Sequence, residues 1–528
     1  MTMDWSMPYD SRRMPICASS MVATSQPLAA IAGLDVLGKG GNAVDAAVAA
    51  AMTLAVVEPC SNGIGSDAFA LVHHEGTLHG LNASGRCPAA WTPNHFSQYR
   101  GMPTLGWDAV TVPGAVSGWV ALADRFGTMP LTSLVEHAAR HARDGFQVSP
   151  QAAASWNRSV DRFKNFPEWQ STFAPGGRAP CAGERFACPE QARTLEEIAS
   201  SNGSSFYEGI LAEGILDASR REHGLLDAAD LASHRAEWVD ALEVEYRDRQ
   251  LHELPPNGQG IVALVAAGIL GRLDASSFEP DDPGLLHLQI ESIKHAFATC
   301  KPELGCPDTM GRSAGSLLKI PLLEELAGQV DPSRAHDPGH VVVTDASTVY
   351  LAVADSDGMM VSFIQSNYMG FGSGVVIPGT GIAMQNRGAC FVQEQGHPNE
   401  VQGGRRPYHT IIPGFITRDG QPETAFGVMG GHMQPQGHLQ VLSRMIDNQQ
   451  NPQAALDAPR WRIDKGRRVH LEPGFPASTV QGLVDRGHEI KVADARSVQF
   501  GGGQVIRRLD GGYVGGSDSR RDGLAIGR

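Results

Sequence analysis

No segment of this 528-residue chain is apolar for long enough to cross a bilayer. The longest nearly uninterrupted run, Ala46 to Val57, is mostly alanine and reads as a buried helix. The first twenty residues hold charges and two prolines and no apolar core of the secretory kind, so export is not expected. Charge is sparse at 19%, net −14, and gathers into no block of one sign, which argues against a phosphate-backbone partner. The eight cysteines, at 17, 60, 87, 181, 188, 300, 306 and 390, form neither a CxxC pair nor a dense cluster, so a disulfide framework is excluded and a reducing cytoplasm fits. No fixed-period repeat is present, against solenoids and propellers.

What the chain does have is hydrophobic residue, 42%, enough for a large core. Residues 27–57 place Leu, Ala, Ile and Val at helical spacing on both sides of GKGGN, predicting two helices joined by a glycine turn. EPCSNGIGSDAFALVHHEGTLHGLN predicts a strand pair, and about 130–300 a largely helical region. About 301–347 is a mostly irregular connection with one short helix, and a long loop of that kind is usually functional or disordered. Directly after it, STVYLAVADSDGMMVSFIQSN reads as a hairpin turning at Asp357-Gly358. GVVIPG, HTIIPGFITRDG and TAFGVMGG predict further strands, and HLQVLSRMIDN a helix.

Several local matches carry little. Gly311-Arg312-Ser313-Ala314-Gly315 fits GxSxG but lacks the apolar strand a nucleophile elbow needs. His73, His74 and His79 lack a third ligand at a known spacing, so no metal is expected, and GFGSG and GGGQ lack the lysine and helix of a phosphate loop. No cofactor is expected.

A set of motifs in a fixed order is more telling: LGKGGNAVDAAVAAAMTLAVVEP (37–59), VPGAVSGW (112–119), PPNGQG (255–260), IESIKHAFA (290–298), STVYLAVADSDG (347–358), GSGVVIPGTGI (372–382), GVMGG (427–431) and ALDAPRW (455–461). Through them the chain resembles the γ-glutamyltransferase family of N-terminal-nucleophile hydrolases over nearly its whole length. The resemblance implies an α+β fold, a four-layer αββα sandwich. It also implies a precursor that cuts itself between Ser347 and Thr348 into a large chain, 1–347, and a small chain, 348–528, which stay together as one domain. Two such pairs would make an unsurprising dimer.

The chemistry requires the cut. A hydroxyl is a poor nucleophile without a base, and an amide nitrogen accepts no proton, whereas a freed α-amine titrates at roughly 7.7–8.0. Cleavage therefore creates the general base beside Thr348, whose β-branch restricts rotation of its oxygen. The resemblance assigns Ser366 as a supporting hydroxyl. It assigns Gly430 and Gly431 as oxyanion donors, such a donor being worth on the order of 3 kcal/mol of barrier.

Where the family grips glutamate, this sequence departs. MQNRGACF places Cys390 at the amine-binding position, RPYHT places His409 and Thr410 where two serines are usual, and Tyr368 replaces an asparagine. GIGSDAF puts Ser66 and Asp67 into the usual glycine run, and the carboxylate-clamping arginine aligns with Ser84, two residues from Arg86. Arg387, His409, Thr410, Arg86 and Tyr368 therefore define an expected pocket for an acid without an amino group, because guanidinium binds carboxylate bidentately. These replacements resemble a subgroup that hydrolyses oxamate to oxalate and ammonia. The alternatives are a γ-glutamyltransferase or glutathione hydrolase, and a non-catalytic binding protein.

Overall fold

The computed structural model describes Trp5, residues 12–337 and residues 347–528. Two seven-stranded sheets lie face to face. One runs in the order Leu524–Gly527, Met21–Thr24, Ser347–Ala354, Met360–Tyr368, Asp67–His74, Thr77–Ala83, Glu237–Val239. The other runs Ile16–Ala18, Gly512–Ser517, Gly502–Leu509, Gln421–Met429, Gly414–Arg418, Arg249–Glu253, Leu242–Tyr246. All their pairings are antiparallel.

Alternation along the strands builds the layers. Tyr350, Ala352 and Ala354 face the second sheet and pack with Ile364, Phe415, Ala425 and Ile506. Val349, Leu351 and Val353, on the opposite face, meet the helix Ala43–Val57. That helix is buried at every residue, and its start is fixed by a capping box in which Asn42 and Asp45 satisfy each other's backbone N–H groups. Helices Gly260–Gly271 and Met433–Ile446 cover the outer face of the second sheet, and Pro283–Cys300 packs against them. The result is the expected α, β, β, α order. No described helix is long and apolar enough to cross a membrane.

Some expected elements differ. GVVIPG yields only the two-residue strand Val376–Ile377, paired with Ile382–Ala383 outside both main sheets. In HTIIPGFITRDG the strand begins at Gly414, because the preceding backbone bonds elsewhere: Gln259 N–H to the His409 carbonyl, His409 N–H to the Asn257 carbonyl, and Ile412 N–H to Gln434 Oε1. Within the largely helical 130–300, residues 237–253 form three strands.

Candidate active site

Thr348 is the second residue of the strand Ser347–Ala354 and is fully buried. The strand pairs with Met360–Tyr368 in a register that slips beside it: Val349 faces Gln365, yet Ser347 faces Tyr368. Two residues, Ser366 and Asn367, thus stand opposite Thr348 alone. A bulge of this kind re-aims side chains, and Tyr368 closes it at φ 75°, a left-handed conformation that bulky residues seldom adopt.

The re-aimed side chain is Ser366. Its Oγ donates to the Ser347 carbonyl at 2.8 Å and accepts from the Thr348 hydroxyl at 3.2 Å and the Tyr368 N–H at 2.8 Å. Arg387 Nη2 donates to the same oxygen at a longer 3.4 Å, so its one proton and both lone pairs are fully engaged. The same oxygen therefore touches the candidate nucleophile and polarises the carbonyl that the nucleophile would attack.

Gly430 and Gly431 end the strand Gln421–Met429 at φ 127° and 60°, where a Cβ would be strained. Their carbonyls turn into the following helix, accepting from Met433 N–H and Gln434 N–H. Among the described residues none accepts from either glycine's N–H. Gln259, from the PPNGQG motif, donates both to the Gly431 carbonyl at 2.9 Å and to the Thr410 carbonyl at 2.6 Å, so the diglycine is pinned to the RPYHT segment.

Arg387 lies in the turn Arg387–Cys390, its side chain wholly buried. Nη1 donates to Thr410 Oγ1 at 2.8 Å, Nη2 reaches Ser366 Oγ at 3.4 Å, and the guanidinium carbon stands 4.6 Å from the centroid of the Tyr368 ring. Its Nε has no partner, and among the described residues no carboxylate approaches it within ion-pair distance. A buried guanidinium without a counter-ion is costly unless something else brings the negative charge. Cys390 Sγ is 3.8 Å away, and burial pushes its thiol pKa up, so it remains a neutral neighbour.

His409 is wholly buried. Its Nε2 sits 3.0 Å from Asp67 Oδ2, and its Nδ1 accepts from Ile411 N–H at 3.4 Å. Burial first, then Arg387 and Arg406, holds its pKa well below the ordinary imidazole value. The neutral ring has both nitrogens committed within the protein. Asp67 is pushed up to about 7 by burial, against the pull of Arg387, Gln385 and the N–H groups of Gly85 and Gly114. The Arg86 guanidinium donates to the Gly404 carbonyl and faces Glu237 and Asp308. Ser84 is held by Asn82.

Lys301 was not singled out by any motif. It follows the helix Pro283–Cys300 and lines a cavity of about 190 Å³ with Tyr368, Cys390, Tyr408 and His432. Burial alone lowers its pKa. Elsewhere, His287, Glu291 and His488 bring ligand-type atoms together, but His287 bonds His488 and the Asp331 carbonyl while Lys294 pairs with Glu291. His287 and Glu291 tie down the segment before residue 338 through the Asp331 carbonyl and the His336 N–H.

A family model described as Gamma-glutamyltranspeptidase matches residues 29–528. The fold superimposes on the crystal structure of a cephalosporin acylase from Bacillus halodurans with a TM-score of 0.96 and 47% identity, over 100% of this chain and 99% of that one. A glutathione hydrolase-like proenzyme of Bacillus subtilis is 33% identical across 97% of this chain and 99% of its own length. The oxamate amidohydrolase proenzyme of Klebsiella pneumoniae is 33% identical over the same shares. On a match over residues 29–528, which include all the residues around Thr348, the chain belongs to the gamma-glutamyltranspeptidase family and is an amidohydrolase of the N-terminal-nucleophile kind.

Proposed function

We propose that this chain cuts itself before Thr348 and then hydrolyses the amide of a small acid whose carboxylate rests on Arg387, with oxamate the simplest such amide. The observation that carries this is the buried Arg387 guanidinium, lacking a carboxylate partner and 3.4 Å from the Ser366 hydroxyl that itself bonds Thr348. Oxamate bears its carboxylate directly on the scissile carbonyl, so the anchoring cation must stand beside the nucleophile, as Arg387 does.

In the precursor, Thr348 Oγ1 attacks the Ser347 carbonyl carbon, the C–N bond breaks, and the amide nitrogen takes the proton to become the α-amine of Thr348. Water then hydrolyses the ester, leaving a Ser347 carboxylate. In the processed enzyme the α-amine takes the Thr348 hydroxyl proton as Oγ1 attacks the substrate amide. The tetrahedral oxygen is received by the N–H groups of Gly430 and Gly431. The amine leaves with the proton, and water, deprotonated by the same α-amine, releases the acid.

A γ-glutamyl substrate is the second reading, favoured by the relative from Bacillus subtilis. It finds Cys390, which carries no charge, at the position where an amine needs a carboxylate. Incubation with oxamate and with glutathione separates the two by the ammonia or glutamate released. Ammonia from oxamate, with kcat/KM reduced roughly 10- to 100-fold in Arg387→Met, is the expected result; glutamate alone would overturn the oxamate reading.

A further inference from the structure

Asp67 interrupts a glycine run at GIGSDAF and begins the strand Asp67–His74, wholly buried. It stands directly opposite Ser366 in the sheet, so its side chain shares a face with the hydroxyl that bonds Thr348. The carboxyl also gathers the segments that present Arg387. Oδ1 accepts from Gln385 Nε2 at 2.9 Å, two residues before Arg387, and from the N–H groups of Gly85 and Gly114, each at 3.1 Å. Oδ2 meets His409 Nε2 at 3.0 Å, and the next residue, Thr410, accepts from Arg387. One carboxyl is thus tied to both sides of the guanidinium that the acyl carboxylate would meet.

The charge on Asp67 decides what Arg387 can accept. With Asp67 ionised, the two buried charges cancel and an incoming carboxylate adds an excess negative charge; with Asp67 protonated, the same carboxylate restores neutrality. Among the described residues, the other titratable groups around the pair do not take this part. Burial pushes the Cys390 thiol and the Tyr207 phenol up, so both stay neutral, and Arg406 is paired with Glu237 at 2.7 Å. Oδ1 already accepts three bonds, so an added proton goes between Oδ2 and His409 Nε2. Whichever of those atoms holds it, His409 Nδ1 then carries a hydrogen, and the bond given up is the long 3.4 Å one from Ile411 N–H.

We propose that Asp67, with His409, sets the charge of the acyl pocket, so that an acid's carboxylate settles on Arg387 together with one proton, which lodges between Asp67 and His409. The proposal rests on the acyl reading given above. Asp67 is then a specificity-determining residue that never touches the substrate: ionised, it keeps the empty pocket neutral, and protonated, it leaves Arg387 to the acid. Because the bound anion favours the protonated pair, affinity for the acid is full below the pKa of the empty pair and falls as pH rises through it.

Glycolate, a carboxylate of oxamate's size with no amide to cleave, tests this on the self-processed protein. Calorimetry in two buffers of different ionisation heat counts the protons taken up on binding. With Asp67 pushed up to about 7, uptake at pH 7 is expected to be about half a proton, and Kd to rise by up to about tenfold per pH unit above that. The α-amine of Thr348, titrating near 8, accounts for no more than about a tenth of a proton at pH 7. Asp67→Asn keeps the oxygen that Gln385, Gly85 and Gly114 use, and in it the uptake is lost and Kd stays level up to about pH 8. Wild-type uptake of about a tenth of a proton or less overturns the proposal and leaves the acyl reading standing, since glycolate still binds. Equal uptake in Asp67→Asn overturns it too, and if that variant does not fold the wild-type count decides. Absence of binding, or binding that Arg387→Met leaves unchanged, overturns the acyl reading and the proposal with it.

Discussion

Ser366 shows how much of the chemistry hangs on one oxygen. Because its proton goes to the Ser347 carbonyl and its lone pairs receive the Thr348 hydroxyl, the Tyr368 N–H and, at 3.4 Å, Arg387 Nη2, removing the hydroxyl withdraws four bonds at once. Ser366→Ala is expected to slow self-cleavage by roughly 10- to 1000-fold, a loss of the size found when one polarising donor is removed, while Ser366→Thr retains most of the rate. The appearance of the small fragment on a denaturing gel over time measures both. The hairpin that carries Thr348 and Ser366 and the turn at the diglycine were legible in the sequence because hairpin and glycine signals are local, while the roles given to these residues came from the family resemblance alone. The partners of His409 and Arg86 were not legible, for the opposite reason. What a side chain meets across 342 residues of sequence, as His409 meets Asp67, leaves no local trace. Asp67 was visible only as an intrusion in a glycine run, and Lys301 had no signal at all.

At the scale of elements, the helix Met433–Ile446 is what holds the diglycine in place, and it does so by close approach. A Cβ on Gly437 would lie 2.5 Å from Val428 Cγ1, in the strand that ends at the diglycine, and the next residue, His438, accepts from the Val428 N–H at 3.1 Å. Gly437→Val must push helix from strand, at a cost of about 1–3 kcal/mol. The expected outcome is a lower urea midpoint together with slower self-cleavage; an unchanged midpoint would show that the contact yields without strain. Element types were readable wherever the period was clean, as in the Asp357-Gly358 hairpin and the helix Ala43–Val57. LEVEY in 237–253 does alternate apolar with charged residues, a strand signal, but the run is short and the helical patterns on either side set the reading. The early residues of HTIIPG have strand composition, but the Asn257 carbonyl and the side chains of Gln259 and Gln434 take part in holding them, which no alternation pattern encodes.

For the whole molecule, buried histidines tie stability to pH. Burial, aided by Arg406, Arg235 and Arg86, lowers His234 to about 3, and burial with Lys301 and Arg387 lowers His432 to about 3. In the unfolded chain each titrates near 6.5. Between those values the unfolded state binds more protons, so the stabilisation is present above roughly 6.5 and is lost as pH falls toward the folded value. Thermal denaturation at pH 7 and pH 5 should give a lower midpoint at pH 5. His234→Gln, which can keep a hydrogen bond to Ser117, should lessen that dependence by up to about 1.4 kcal/mol per pH unit. An equal slope in the variant would place the linkage elsewhere. Activity follows a different group, since the α-amine of Thr348 must be neutral to act, so kcat/KM should rise through its pKa near 8 while self-cleavage, which precedes that amine, does not. Everything in this account depends on Thr348 becoming that terminus. The most direct measurement is the N-terminal sequence of the smaller fragment after the purified 56.2 kDa chain is incubated. The account predicts Thr-Val-Tyr-Leu, beginning at Thr348, and no fragment from Thr348→Ala. A chain that stays intact, or a fragment that begins at any other residue, would contradict it.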